Sequence, residues 1–243
     1  MSTDGPGLGV LAFGDSITNA GGDVQWGVAL HSWALWVARS LGLGYSSYAI
    51  DGSLADVVVD VQIPSFERCA AWPDARYELG CLYVGTNDVR QLDWDAGAFA
   101  SAFGDALSFL AARCDRVLTL TIPVDMGRPR SPERVAEANA AIEAAAASWG
   151  ALVVDLRRFG GRSLVMADHV HPTAFGQIAI AEAALEVLEA DGMRVAVRPS
   201  ELIAYETTRW GRLHGDLVYA YRHLKVNART LRSAIAGVLP FRG

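Results

Sequence analysis

Apolar residues along the chain gather into five short runs, at 9–13, 45–50, 79–84, 116–121 and 151–155, each of strand length. Between them lie longer segments with helical signals, at 32–41, 96–112, 132–149 and 173–190. Strand and helix in alternation predict a parallel sheet, because a parallel neighbour can be reached only through a crossover. The expected architecture is α/β, a three-layer α/β/α sandwich with a five-stranded parallel sheet and right-handed crossovers. The crossover around 56–68 has no clear period. The alanine-rich stretch 136–147 reads as a tightly packed helix rather than low complexity, since alanine is the strongest helix former.

At 243 residues, half of them hydrophobic and a fifth charged, the chain can bury one sizeable core. The expected organisation is a main domain over 1–192 and a basic, mostly helical extension over 193–243. Charge separates the two. Residues 193–243 carry 9 Arg/Lys against 3 Asp/Glu, a balance of +6, which leaves −12 on the remainder of a chain whose net charge is −6. An acidic body argues against nucleic acid as partner. No run of signal-peptide form follows Met1, and Cys69, Cys81 and Cys114 form no CxxC pair, so reduced, structurally buried thiols in the cytoplasm are expected.

In open α/β sheets ligands sit beyond the carboxyl ends of the strands. Ser16, Gly52, residues 85–88 and the loop 123–130 all follow predicted strands directly. A serine hydroxyl is a weak nucleophile unless a base takes its proton and a third group orients that base. Asp168-His169-Val170-His171 supplies both helpers. Taken singly, Gly-Asp-Ser also reads as a turn or helix cap, and Asp-x-x-His as a cap before the helix at 173.

Gly14-Asp15-Ser16-Ile17-Thr18 resembles the first motif of the SGNH/GDSL hydrolase family, and three further blocks follow in the same order: Gly52 in Ile50-Asp51-Gly52-Ser53, Gly85-Thr86-Asn87-Asp88, and Asp168-His169-Val170-His171. The resemblance covers roughly residues 8–190 and implies a flavodoxin-like sheet. It also implies Ser16 as nucleophile, His171 as base and then acid, and Asp168 as the group orienting it. The implied oxyanion hole comprises the backbone N–H groups of Ser16 and Gly52 with the Asn87 side chain. Asp88 is read as bracing its loop. The implied substrate is a small-molecule acyl ester, with no cofactor.

No Cys or carboxylate cluster joins His169 and His171 at metal-ligand spacing, and no Walker loop, Gly-x-Gly-x-x-Gly fingerprint or Gly-x-Ser-x-Gly elbow is present. Neither a metal nor a nucleotide is implied. Asp15, Trp26, His31, Asp125 and Arg128 are candidate substrate-binding residues. The loop carrying Asp125 and Arg128 reads equally as an anion clamp or a solvated connector, while Trp33 and Trp36 share a helical face and read as core. The expected activity is ester hydrolysis. Acyl transfer or carbohydrate deacetylation by the same site is the alternative, and a non-catalytic scaffold acting through its basic tail is the second. An imperfect apolar stripe from Leu202 to Leu224, set between arginines, marks the extension as an arm for packing or homo-oligomerisation, or as a peripheral membrane contact.

Overall fold

In the computed structural model, residues 7–21, 28–69, 75–126 and 131–203 are described, together with eight helical positions between 210 and 225. Five strands run in parallel: β1 (Val10–Gly14), β2 (Tyr45–Ser47), β3 (Tyr77–Tyr83), β4 (Cys114–Leu120) and β5 (Leu152–Val154). Their order is β2-β1-β3-β4-β5. This is the flavodoxin-like order, whose crevice lies where the winding reverses, between β1 and β3.

The helices are α1 (Trp33–Leu41), α2 (Ala55–Val57), α3 (Ile63–Cys69), α4 (Ala96–Arg113), α5 (Pro132–Trp149) and α6 (Ala174–Ala190). Their ends follow local chemistry. Ser32, Asp95, Ser131 and Thr173 each accept a backbone N–H from the first turn of α1, α4, α5 and α6, and Gly42 and Gly150 close α1 and α5 in the left-handed conformation. Strand alternation then divides the core. Val10, Ala12, Leu79, Cys81 and Leu118 face α1 and α6, packing on Trp33, Trp36 and Leu185. Leu11, Phe13, Leu82 and Val117 face the other way, onto Phe66, Phe103 and Leu107.

Two expectations change. β2 stops at Ser47 rather than Ile50, yet Tyr48 N–H and Ile50 N–H still donate to Ala12 and Gly14 carbonyls as the chain peels away from β1. Cys81 and Cys114 are buried thiols as expected, but Cys69 is exposed at the end of α3. The unclear crossover is helical throughout: α2 runs through a π-helical turn, Val58–Gln62, into α3. A π turn spreads its side chains differently from a 3.6-residue repeat, which is why no period was visible.

Beyond α6 the chain returns to the body. Ala196 N–H donates to Ser40 O (2.8 Å), Arg198 pairs with Glu182 and Glu189, and Ser200 donates to Glu182 through both its N–H and its hydroxyl. Met193, Val195 and Ile203 extend the core on that side.

Candidate active site

Ser16 sits two residues past the end of β1 at Gly14, in a turn that folds back on itself. That turn requires glycine at 14. With φ +151°, a Cβ there would lie 2.3 Å from the Tyr83 carbonyl oxygen and 2.7 Å from Thr18 Oγ1. The buried Gln62, on the π turn, closes the other side. It accepts from Gly14 N–H (3.0 Å) and donates to Gly14 O (2.8 Å) and to Ser53 Oγ (2.9 Å). Gln177 of α6 likewise donates to Ile17 O (2.9 Å) and accepts from Trp33 N–H (2.7 Å). Two buried amides thus fix the serine turn from two different layers.

Ser16 Oγ lies 2.8 Å from His171 Nε2, and His171 Nδ1 lies 2.7 Å from Asp168 Oδ2. Asp168 Oδ1 accepts the backbone N–H groups of Val170 (2.9 Å) and His171 (3.0 Å). One carboxylate therefore holds both the ring and the loop that carries it. That loop is pinned elsewhere as well. Met166 N–H donates to His171 O, Thr173 N–H to Leu164 O, and Thr173 Oγ1 to Ser163 O before capping α6. His169, between the two partners, adopts φ +58° with its Nδ1 3.0 Å from Met126 O. A left-handed non-glycine residue held in place by its surroundings is a common feature of reactive sites.

Burial by itself would raise the Asp168 carboxyl pKa, but the bonds from the His171 ring and from two backbone N–H groups outweigh it and hold it below the ordinary value. The same Asp168 bond raises the His171 pKa, against the opposing effect of burial, with the charges of Asp168, Asp15 and Asp51 adding to the rise. With Nδ1–H directed at Asp168, the neutral ring presents Nε2 as an acceptor to the Ser16 hydroxyl.

Gly52 lies on the loop after β2 with φ +79°, a conformation suited to glycine, and the space beside its Cα is open. Asn19 Nδ2 donates to the adjacent Asp51 (2.9 Å), tying this loop to the serine turn. Asn87 donates one amide N–H to Ser53 O (3.2 Å), which leaves the other N–H of a two-donor group. Asp88 accepts Ala55 N–H (2.9 Å) at the start of α2, so its carboxylate links the β3 loop to the crossover.

Asp15, expected to face substrate, is only 1 % exposed. Its Oδ1 accepts Ile17 N–H (2.9 Å), and Oδ2 has no hydrogen-bond partner among the described residues. Burial pushes its pKa up to about 7, with Asp88 and Asp51 adding to the rise while the Ile17 bond and His171 oppose it. Its place is within the wall of the site, where it acts through charge. His31 pairs with Arg39 (2.8 Å) and lies tilted against the buried Trp36 ring, and burial and Arg39 lower its pKa. Asp125 is exposed on the loop after β4. Trp26 and Arg128 lie outside the described residues.

Sequence reasoning missed two residues. Gln62 offered one signal, a long amide in a mostly apolar stretch. Gly21 offered none, yet a Cβ there would lie 2.8 Å from Ser16 O and 3.2 Å from His171 Cδ2, so its lack of a side chain preserves the gap around the reacting pair. Among the described residues no group of three His, Cys, Asp or Glu side chains is arranged to hold a metal.

Residues 12–178, a span containing all four blocks, match the GDSL-like Lipase/Acylhydrolase family. A solved member of the lipolytic G-D-S-L family from Veillonella parvula is 25 % identical, covers 74 % of this chain and 97 % of its own, and superposes with a TM-score of 0.59. An α/β hydrolase from the Lake Arreo metagenome is 20 % identical over 76 % of this chain and 96 % of its own, with a TM-score of 0.58. An acetylxylan esterase from Geobacillus stearothermophilus is 20 % identical over 76 % and 95 %, with a TM-score of 0.57. No curated protein matches the sequence.

Proposed function

The chain belongs to the GDSL-like lipase/acylhydrolase family and is a serine acylhydrolase; from that premise we propose that it cleaves carboxylic esters through an acyl-enzyme on Ser16. The observation that carries this reading is the continuous proton path from Ser16 Oγ to His171 (2.8 Å) and from His171 to Asp168 (2.7 Å). Ser16 Oγ attacks the ester carbonyl carbon while His171 Nε2 takes its proton, and Asp168 stabilises the imidazolium without itself being protonated. Charge on the former carbonyl oxygen is met by the N–H groups of Ser16 and Gly52 and by the free amide N–H of Asn87.

Collapse of the tetrahedral intermediate breaks the bond to the leaving alcohol, which takes its proton from His171. Water then attacks the acyl carbon, returns a proton to His171, and releases the acid and Ser16 in turn. The His171 ring nitrogen carries the proton in every transfer, and its raised pKa suits it to both halves of the cycle.

A panel of p-nitrophenyl esters of increasing acyl length, run on the natural protein and on His171→Ala, tests the proposal. Turnover of at least one ester, with a loss of about 10⁴-fold or more in the variant, is expected. Equal rates for the two proteins would overturn it. Repeating the assay with an added alcohol or sugar distinguishes hydrolysis from transfer: free acid alone marks a hydrolase, and a new ester marks an acyltransferase.

A further inference from the structure

Past the arm that clamps onto α1 and α6, the helical positions Trp210, Leu213, Leu217, Tyr221 and Leu224 are between 46 % and 77 % exposed. As a sequence pattern, their successive spacings of three, four, four and three residues correspond to an arc of about 80° on a helical wheel, at 100° per residue. An exposed apolar stripe of this kind marks a contact surface. We propose that this face docks the protein on an anionic lipid surface.

Charge selects lipid over a second copy of the chain. Residues 193–243 carry +6 while the rest of the chain carries −12. An anionic surface therefore attracts this segment and repels the body, which orients the protein with its tail against the lipid. Pairing two such helices would bring like charges together. The acidic body of a second copy is electrostatically suitable, but its exposed large apolar side chains, Leu8, Ile50, Val61, Leu92, Val124 and Trp149, each stand on a different segment. Among the described residues of the body they offer no matching stripe.

The side-chain types fit an interface. Trp210 and Tyr221 each combine an apolar ring with a polar group, the form that settles at the headgroup boundary, and three leucines fill the face between and beyond them. Lys225 is also exposed, and lies beside the stripe rather than on it. No helix among the described residues is long and apolar enough to cross a membrane, so the contact is with the surface. The first part of the extension is fixed to the body through Ser40, Glu182 and Glu189, so a helix held at the lipid retains the catalytic domain there. This inference is independent of the ester chemistry.

The test is co-sedimentation of the full chain with vesicles of phosphatidylcholine alone and of phosphatidylcholine and phosphatidylglycerol in equal parts. Binding to the mixed vesicles should exceed binding to the neutral ones by about tenfold or more, and should be released at about 1 M salt, where the Debye length is about 3 Å. Leu217→Glu with Leu224→Glu should abolish sedimentation while leaving the circular-dichroism melting curve unchanged. Trp210→Phe should still sediment but lose the vesicle-induced blue shift of tryptophan emission. Absence of sedimentation with mixed vesicles at low salt, or equal sedimentation with neutral ones, would overturn the proposal. A dimer in analytical ultracentrifugation that the double substitution dissociates would also overturn it, by assigning the stripe to a subunit interface.

Discussion

Gln62→Met is the most informative single perturbation, because it removes the hydrogen bonds from one side chain and preserves its length and volume. Gln62 is fully buried and makes three bonds, two with Gly14 and one with Ser53. After the change, Gly14 O still accepts Ile50 N–H and Ser53 Oγ still donates to Ile50 O, but Gly14 N–H loses its acceptor in a buried place. One orphaned donor at about 1–3 kcal/mol and two lost bonds at about 0.5–1.5 kcal/mol each give a destabilisation of about 2–6 kcal/mol. Methionine fills the same space, so the cavity contribution is small. Urea unfolding should show a lower midpoint at an unchanged slope. Because Gly14 sets the position of the serine turn, kcat/KM toward a p-nitrophenyl ester should also fall, by about 10²-fold for a displacement near 1 Å. Gln62→Glu keeps one acceptor but turns lone pairs toward Gly14 O, and should be no more stable than the methionine variant. A Gln62→Met protein within about 0.5 kcal/mol of the natural one, with unchanged kcat/KM, would refute the reasoning.

The remaining predictions concern charge and space in the same site. The rate should rise with pH through an inflexion above 6.5, since His171 must be neutral to act as base and Asp168 raises its pKa; Asp168→Asn should lower that inflexion as well as the rate. Asp15, whose folded pKa of about 7 exceeds its ordinary value of 3.8, withdraws stability progressively as pH rises from 3.8 to about 7. The gain in melting temperature of Asp15→Asn over the natural protein should therefore grow across that range and level off above it, and the substitution should shift the His171 inflexion down. Asn87→Ala removes one oxyanion donor and should lower kcat by about 10²–10³-fold, with a smaller loss of stability from the Ser53 bond, read by kinetics and thermal melting together. Gly21→Val should lower kcat/KM more than Gly21→Ala, because the added carbons press toward Ser16 and His171.

The strands and the four long helices were legible because each is written twice, in the apolar pattern and in its turn chemistry. Ser32 and Gly42 bracket α1, Ser131-Pro132 and Gly150 bracket α5, and Thr173 opens α6. The crossover from Ala55 to Cys69 was not legible, because its π turn breaks the repeat that a helical reading depends on. Gln62 was lost with it. Ser16, Asp168 and His171 could be named because short motifs carry them, whereas Gly21 matters only through the atoms beside it in space. Asp15 shows the limit in the other direction: adjacency to Ser16 in sequence suggested a substrate contact, but in the turn after β1 its carboxylate is drawn inward onto Ile17 N–H and buried. Tail exposure was similarly unreadable, since one apolar stripe serves an arm packed on the body and a free face alike.

The central claim is that Ser16 becomes acylated. Its most direct measurement is peptide mapping by mass spectrometry after treatment with a serine-directed fluorophosphonate. The account predicts a single stoichiometric adduct on the peptide containing Ser16, absent from Ser16→Ala and much slowed in His171→Ala. An adduct of undiminished yield in Ser16→Ala, or one mapped to another residue, would contradict it.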